Sequence, residues 1–296
     1  MIPVLLTKIK TRDGVTLDGI YVRPKKKSKI ALVWIHGFSS RFYSGQTLVN
    51  ELASRCRKNG IGYFKFNNRG HDIINYEALP PAGLGGSAFE KFEDCVHDIR
   101  AIVNTAQRFG YKHIFLAGHS TGTNKVLYYM YKARDRRVRG LLLLGGINDI
   151  AAEKKKLGKA FEPILKEVQK IARNKKRLDQ LFPMEIFTRR GLKPEIITAR
   201  RYLSLHTQGS PEDVFPYLNP RAKWKELKSV RVPLAVIIGS RDEHLDRPAK
   251  NLIEIFEKNA RGTKSFSGFI IKGAKHGFQK KEKELSRTIM RWIKKV

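Results

Sequence analysis

The segment Ile30-Ala31-Leu32-Val33-Trp34-Ile35 carries no polar side chain. The runs His113-Ile114-Phe115-Leu116-Ala117, Arg139-Gly140-Leu141-Leu142-Leu143-Leu144-Gly145 and Val232 to Gly239 are almost as apolar. Runs this short and this apolar suit strands covered on both faces, which occur in parallel sheets packed between helices. Helical patterns separate them, over 45–58, 88–108, 122–134 and 247–259. Further strands are expected at 61–66 and 267–272, and a last amphipathic helix at 280–294. Val4 to Lys10 and Val15 to Arg23 flank Thr11-Arg12-Asp13-Gly14 and read as an opening hairpin. The loop Leu79-Pro80-Pro81-Ala82-Gly83-Leu84-Gly85-Gly86 is rich in Gly and Pro. Strands alternating with helices predict an α/β fold with a mostly parallel central sheet.

The alternation stops at about residue 148 and resumes at Val232. Between them the pattern is helical: Leu157, Phe161, Leu165, Val168 and Ile171 share one face, with Pro163 starting or kinking the helix. Ile196, Ile197, Tyr202 and Leu203 suggest another helix, and Ser210-Pro211-Glu212-Asp213 has the form of a helix start. The expected division is a core domain over 1–147 and 219–296, with a helical lid over 148–218 inserted before the last two strands. Such an insert is too long for an ordinary loop.

Gly118-His119-Ser120-Thr121-Gly122 follows the strand 113–117 and precedes a helix. A serine at the apex of a strand, tight turn and helix has the context of a nucleophile elbow. Bulky side chains at Gly118 and Gly122 would collide with the turn, and the helix N-terminus favours developing negative charge. A serine hydroxyl needs a base, and the base needs an orienting group. Asp242 lies just past strand 232–239, and His276 lies in Gly273-Ala274-Lys275-His276-Gly277 after strand 267–272. The strand ends are where open α/β sheets build their sites. Glu243 and Asp246 compete with Asp242 nearby, and Asp149 after strand 139–145 is a second rival. An oxyanion requires preorganised donors. The candidates are the backbone N–H groups of Thr121 and of Phe38 in His36-Gly37-Phe38, where Gly37 permits close backbone approach.

With these residues in view, the chain resembles the α/β-hydrolase superfamily on its serine esterase and lipase side. The resemblance rests on His36-Gly37-Phe38, Asn68-Arg69-Gly70-His71, the Gly118 to Gly122 elbow, and the Asp242 and His276 loops. It covers nearly the whole chain outside the helical insert. It is most similar to lidded carboxylesterases, monoacylglycerol lipases and feruloyl-esterase-like enzymes. Serine at the elbow sets it apart from the dehalogenase and epoxide-hydrolase branches, which the resemblance would lead one to expect to carry aspartate there. The single glycine of His36-Gly37-Phe38 departs from the His-Gly-Gly-Gly form of some lipases, which weighs against bulky tertiary-alcohol esters. The resemblance implies hydrolysis of a small-molecule ester through an acyl-enzyme, with Ser120, His276 and Asp242 as the triad. The same machinery would serve a thioesterase, an amidase or a C–C bond hydrolase, and a non-catalytic ligand-binding protein could use the same fold. Gly37, His119, Phe182, Phe187 and Phe215 are the expected substrate-binding residues.

Composition adds limits. Lys and Arg total 59 against 27 acidic residues, a net charge of +32. The basic residues are dispersed rather than gathered in a tail, and no zinc-finger, RNA-recognition or basic-zipper pattern accompanies them. Weak, salt-sensitive contact with nucleic acid or anionic lipid is expected of such a surface, and a lipase acting at anionic interfaces is a further reading. No metal-ligand spacing, Walker sequence or dinucleotide fingerprint occurs, so no cofactor and no metal are expected. Cys56 and Cys95 fall on apolar helix stripes and read as buried thiols, which with the short apolar start at Met1 suggests a cytoplasmic protein.

Overall fold

The computed structural model describes residues 2–79 and 83–296; Pro80, Pro81 and Ala82 of the Gly/Pro-rich loop lie outside the described residues. The strands are β1 (Leu5–Lys10), β2 (Thr16–Val22), β3 (Ile30–Ile35), β4 (Ile61–Phe66), β5 (Asn75–Leu79), β6 (Gly83–Gly85), β7 (His113–His119), β8 (Val138–Leu144), β9 (Leu234–Gly239) and β10 (Phe266–Ile271). Eight of them form one sheet in the order β1-β2-β4-β3-β7-β8-β9-β10. The β1–β2 and β2–β4 pairs are antiparallel, and every pair from β4 onward is parallel.

The apolar runs are continuous because each strand feeds two cores. Ala31, Val33 and Ile35 of β3 join Ile114 and Leu116 of β7 and Leu234, Val236 and Ile238 of β9 on one face. Helices α2 (Cys95–Arg108), α3 (Thr121–Ala133) and α9 (Ala249–Asn259) cover that face with residues such as Ile99, Val126 and Phe256. Leu32, Trp34, Phe115, Ala117, Ala235 and Ile237 point the other way. There α1 (Gln46–Lys58) and α10 (Glu282–Lys295) close over them with Leu52, Cys56, Leu285 and Ile289. Cys56 and Cys95 are both buried and unpaired.

Between β8 and β9 come α4 (Asp149–Leu157), α5 (Phe161–Arg173), α6 (Glu185–Thr188), α7 (Ala199–His206) and α8 (Lys225–Lys228). The insertion has a core of its own, built on Phe161, Ile164, Val168, Phe187 and Tyr202. Pro163 sits in the first turn of α5, where its missing N–H has no intrahelical acceptor to lose.

Three expectations change. The helix expected over 88–108 begins only with a 3₁₀ turn at Phe92–Asp94. Upstream, the Ala88 carbonyl accepts from Thr198 N (3.0 Å) and Thr198 Oγ1 (2.9 Å), which holds that segment out of the helix. Ser210-Pro211-Glu212-Asp213 starts no helix: Asp213 N donates to Ser210 O at 3.1 Å in a turn, and Glu212 is drawn into a buried ion pair with Arg201. The pair β5–β6 is a small antiparallel sheet that the hydrophobic pattern does not announce. Among the described residues no helix is long and apolar enough to cross a membrane.

Candidate active site

The turn between β7 and α3 holds Ser120 at φ 56° and ψ −132°, a backbone conformation that costs a non-glycine residue about 1–3 kcal/mol. The surroundings impose it. Ser120 N donates to Leu144 O (3.0 Å), while Thr123 N (2.8 Å) and Thr123 Oγ1 (2.6 Å) both donate to Ser120 O. A side chain at Gly118 would overlap the Gly122 carbonyl, and one at Gly122 would overlap the Ile35 carbonyl. The loop after β3 approaches as closely: a Cβ on Gly37 would stand 2.7 Å from Ser120 Cβ. Phe38 and Thr121 therefore flank the serine, and Thr121 opens α3 with an N–H that has no acceptor inside the helix.

His36 fixes the β3 loop. Its Nε2 accepts from Asn68 N at 3.1 Å, so its proton is on Nδ1, which donates to Gly37 O at 2.9 Å. Burial and the nearby Lys125 ammonium hold this ring neutral, well below the usual histidine range. Asn68 in turn accepts from Lys125 Nζ at 3.1 Å and donates to His36 O at 3.1 Å. Arg69 anchors the same loop on Asp98, with the backbone N–H at 2.9 Å and the guanidinium at 2.8 Å. His71 pairs with Asp72 at 2.7 Å and does not line the cavity that Ser120 faces.

Asp242 and His276 meet beyond the ends of β9 and β10. His276 Nδ1 lies 2.7 Å from Asp242 Oδ2. A carboxylate only accepts, so the proton is on Nδ1 and Nε2 carries the free lone pair. Burial works against the Asp242 charge, but the hydrogen bond from His276 and the His244 N–H, at 3.0 Å, hold its carboxyl below the usual range. Of its rivals, Glu243 accepts from His276 N at 3.1 Å, Asp246 takes Tyr217 and Arg247, and Asp149 accepts from Asn124 Nδ2 at 2.9 Å.

Ser120, Thr121, Phe38 and His276 share the wall of one cavity of about 530 Å³. His244, also on that wall, packs edge-on against the His276 ring at 4.6 Å. The opposite wall is the insertion, with Asp149, Glu153, Lys156, Glu195, Ile197 and His206. Burial, with Glu212 nearby, pushes the Asp149 carboxyl up to about 7; burial, with Glu195 nearby, does the same to Glu153.

The expected substrate contacts are placed differently. Phe182 and Phe187 stack on each other at 5.9 Å inside the insertion core, and Phe215 packs on Phe256 at 4.9 Å in the main core. All three are too well packed to line the cavity. Gly37 packs against Ser120 and does not line the cavity, and His119 is turned beneath the site, where its Nε2 donates to the His276 carbonyl at 2.9 Å. Burial, with the His276 ring close by, pushes His119 down to about 4, so it props the histidine loop as a neutral ring. Of the insertion wall, sequence pattern singled out Asp149 alone, as a rival acid, and expected aromatic residues of the insert where the acidic ones stand. The wall's one local signal was the i, i+4 spacing of Asp149 and Glu153 on a helix that follows directly from β8.

Behind Ser120, Lys125 of α3 is fully buried and paired with Glu90, which also meets Arg201 at 3.3 Å; Arg201 is paired with Glu212. Burial opposes the Glu90 charge, but the two cations prevail and its carboxyl lies below the ordinary range.

A family model described as "Protein of unknown function (DUF1749)" matches residues 76–296. The chain belongs to the DUF1749 family. No curated protein matches it. Among solved structures, this DUF1749 protein is similar to the siderophore hydrolase EstB from Aspergillus fumigatus, with TM-score 0.69, 16% identity, and coverage of 99% of this chain and 97% of that one. It is similar to Est1E from Butyrivibrio proteoclasticus, solved with ferulic acid, at TM-score 0.65 and 17% identity, covering 97% and 98%. A Pyrococcus furiosus esterase gives TM-score 0.64 and 15% identity, covering 99% and 91%. These likenesses establish the α/β-hydrolase fold for the DUF1749 chain, in company with proteins described as esterases and hydrolases.

Proposed function

We propose that this protein is a serine hydrolase that cleaves carboxylic esters through an acyl-enzyme. The observation that carries the reading is the oriented His276–Asp242 pair, 2.7 Å apart, on the same cavity wall as a serine held at positive φ. Ser120 Oγ attacks the ester carbonyl while His276 Nε2 takes its proton. Asp242 keeps the proton of Nδ1 in place and stabilises the imidazolium. The N–H groups of Phe38 and Thr121 receive the oxyanion, a contribution of roughly 3 kcal/mol per donor in a site closed to water. His276 then protonates the departing alcohol, and a water activated by the same nitrogen releases the acid. Helices of the 148–218 insertion act as a lid that supplies the far side of the pocket. The esterase and hydrolase descriptions of the similar structures agree with this reading.

The test is a fluorophosphonate label together with p-nitrophenyl esters of rising chain length. Wild type should label at Ser120 and turn over, and Ser120→Ala should do neither, with a loss on the order of a millionfold. Labelling or turnover that survives Ser120→Ala would remove the serine from the reaction.

A further inference from the structure

The chain carries a net charge of +32, yet the insertion wall of this cavity is acidic. Asp149, Glu153 and Glu195 stand there against one ammonium, Lys156. Asp149 and Glu153 are four residues apart on α4 and so project from one face of the helix. Lys156 lies 3.2 Å from Glu153 and is also paired with Glu195, and its side chain is half exposed at 54%. One cation thus serves two carboxyls from the solvent side; Asp149 accepts from the neutral amide of Asn124, and the cation near it, Arg201, is already paired with Glu212 and Glu90.

A second observation is independent of the carboxyls. His206 of α7 is only 7% exposed, lies on the same wall, and its Nδ1 has no hydrogen-bond partner among the described residues. Burial, with Lys156 and Arg201 nearby, pushes the ring down to about 3 and keeps it neutral. Nδ1 is thus a buried ring nitrogen without a partner, and in the tautomer that carries its proton on Nε2 it is an acceptor with no donor. A buried acceptor left unmade is costly, and so is a carboxyl whose water is displaced by an apolar substrate.

Resting on the hydrolase reading above, we propose that the cavity selects esters bearing a primary ammonium group, held by Asp149, Glu153 and His206 while the ester carbonyl lies at Ser120. An ammonium offers three donors and no acceptor, which matches a wall made of acceptors. A hydroxyl would meet the hydrogen bonds but not the charge, and a methyl would meet neither.

The experiment compares p-nitrophenyl ω-aminohexanoate, ω-hydroxyhexanoate and heptanoate, with ω-aminohexyl and heptyl butyrate for the alcohol side. On one side or the other, the ammonium ester should have a kcat/KM about tenfold or more above both neutral analogues. Glu153→Gln should bring that ratio toward one, and Glu195→Lys should turn the preference toward an ω-carboxy ester. Each ratio is taken within one variant, so a general loss of folding or turnover cancels. Equal rates for the ammonium and neutral esters on both sides, with Ser120 still labelled by fluorophosphonate, overturn this inference and leave the hydrolase reading standing. If Ser120 does not label, calorimetry with hexylamine and hexanol decides instead: preference for the amine keeps the acidic wall as an ammonium site, and no preference overturns it.

Discussion

The two walls of the cavity are built on different principles. On the sheet side, Phe38, Ser120 and His276 hang from the ends of β3, β7 and β10 on short loops. Each is positioned by backbone geometry and by a partner close at hand: His36 with Gly37, Ser120 N with Leu144 O, and His276 with Asp242. On the insertion side, Asp149, Glu153, Glu195 and His206 come from different parts of a separately packed cluster. That cluster is tied to the rest of the chain by buried polar groups. Arg201 reaches Glu90 and Thr198 N reaches Ala88 O in the segment before α2, while Asn148 Nδ2 joins the two ends of the insertion through Asp213 Oδ1 (2.8 Å) and Phe215 O (2.9 Å). On the proposed reading, the groups that need sub-ångström geometry sit on rigid strand ends, and those proposed to choose a ligand sit on a wall that can vary without disturbing them.

The contrast can be broken from either side. The largest effect is expected on the sheet side. Asp242→Asn leaves the shape intact but releases the His276 tautomer, and kcat for the best ester should fall about 10⁴-fold with little change in KM. A loss under tenfold would mean that another acid, such as Glu243, orients the ring. Next comes the link between the walls. Lys125→Met removes a fully buried ammonium from Glu90 and Asn68, and urea unfolding should show a loss of about 3 to 5 kcal/mol. An unchanged unfolding midpoint would show that Arg201 alone suffices for Glu90 and that the walls are less coupled than the ion pairs suggest.

The smallest effect belongs to the insertion wall and depends on pH. Asp149 is raised from 3.8 to about 7, so the folded state holds its proton more firmly than the unfolded state does. Its contribution to stability is therefore full below pH 3.8 and is lost as the pH rises through about 7. An amide in its place has no proton to lose. The melting temperature of Asp149→Asn relative to wild type should accordingly climb between about pH 4 and about pH 7 and level off above. A difference that stays constant over that window would show that the Asp149 carboxyl titrates normally.

The sheet side was legible in the sequence because its signals are local. Gly118 and Gly122 mark a turn that no other residue fits, and the apolar runs mark the strands that bring Asp242 and His276 to one edge. Helix starts were less legible. Nothing local distinguishes Ser210-Pro211-Glu212-Asp213 from a capped helix; Arg201 decides against it from another helix. Phe182, Phe187 and Phe215 illustrate the same difficulty, since an aromatic residue in a helical insert looks alike whether it faces a pocket or a core.

What the sequence by itself determined is the layered α/β architecture, the helical stretch between β8 and β9, and the identity of Ser120, His276 and Asp242 as candidates. Strand burial and turn sterics act over a few residues and leave their mark in the residue order. What only the tertiary structure decided is the acidic wall, the support of His276 by His119, and the Glu90–Lys125–Arg201–Glu212 network. These depend on charges and lone pairs brought together from distant segments, where desolvation makes each group answer to its spatial neighbours rather than to its neighbours in the chain.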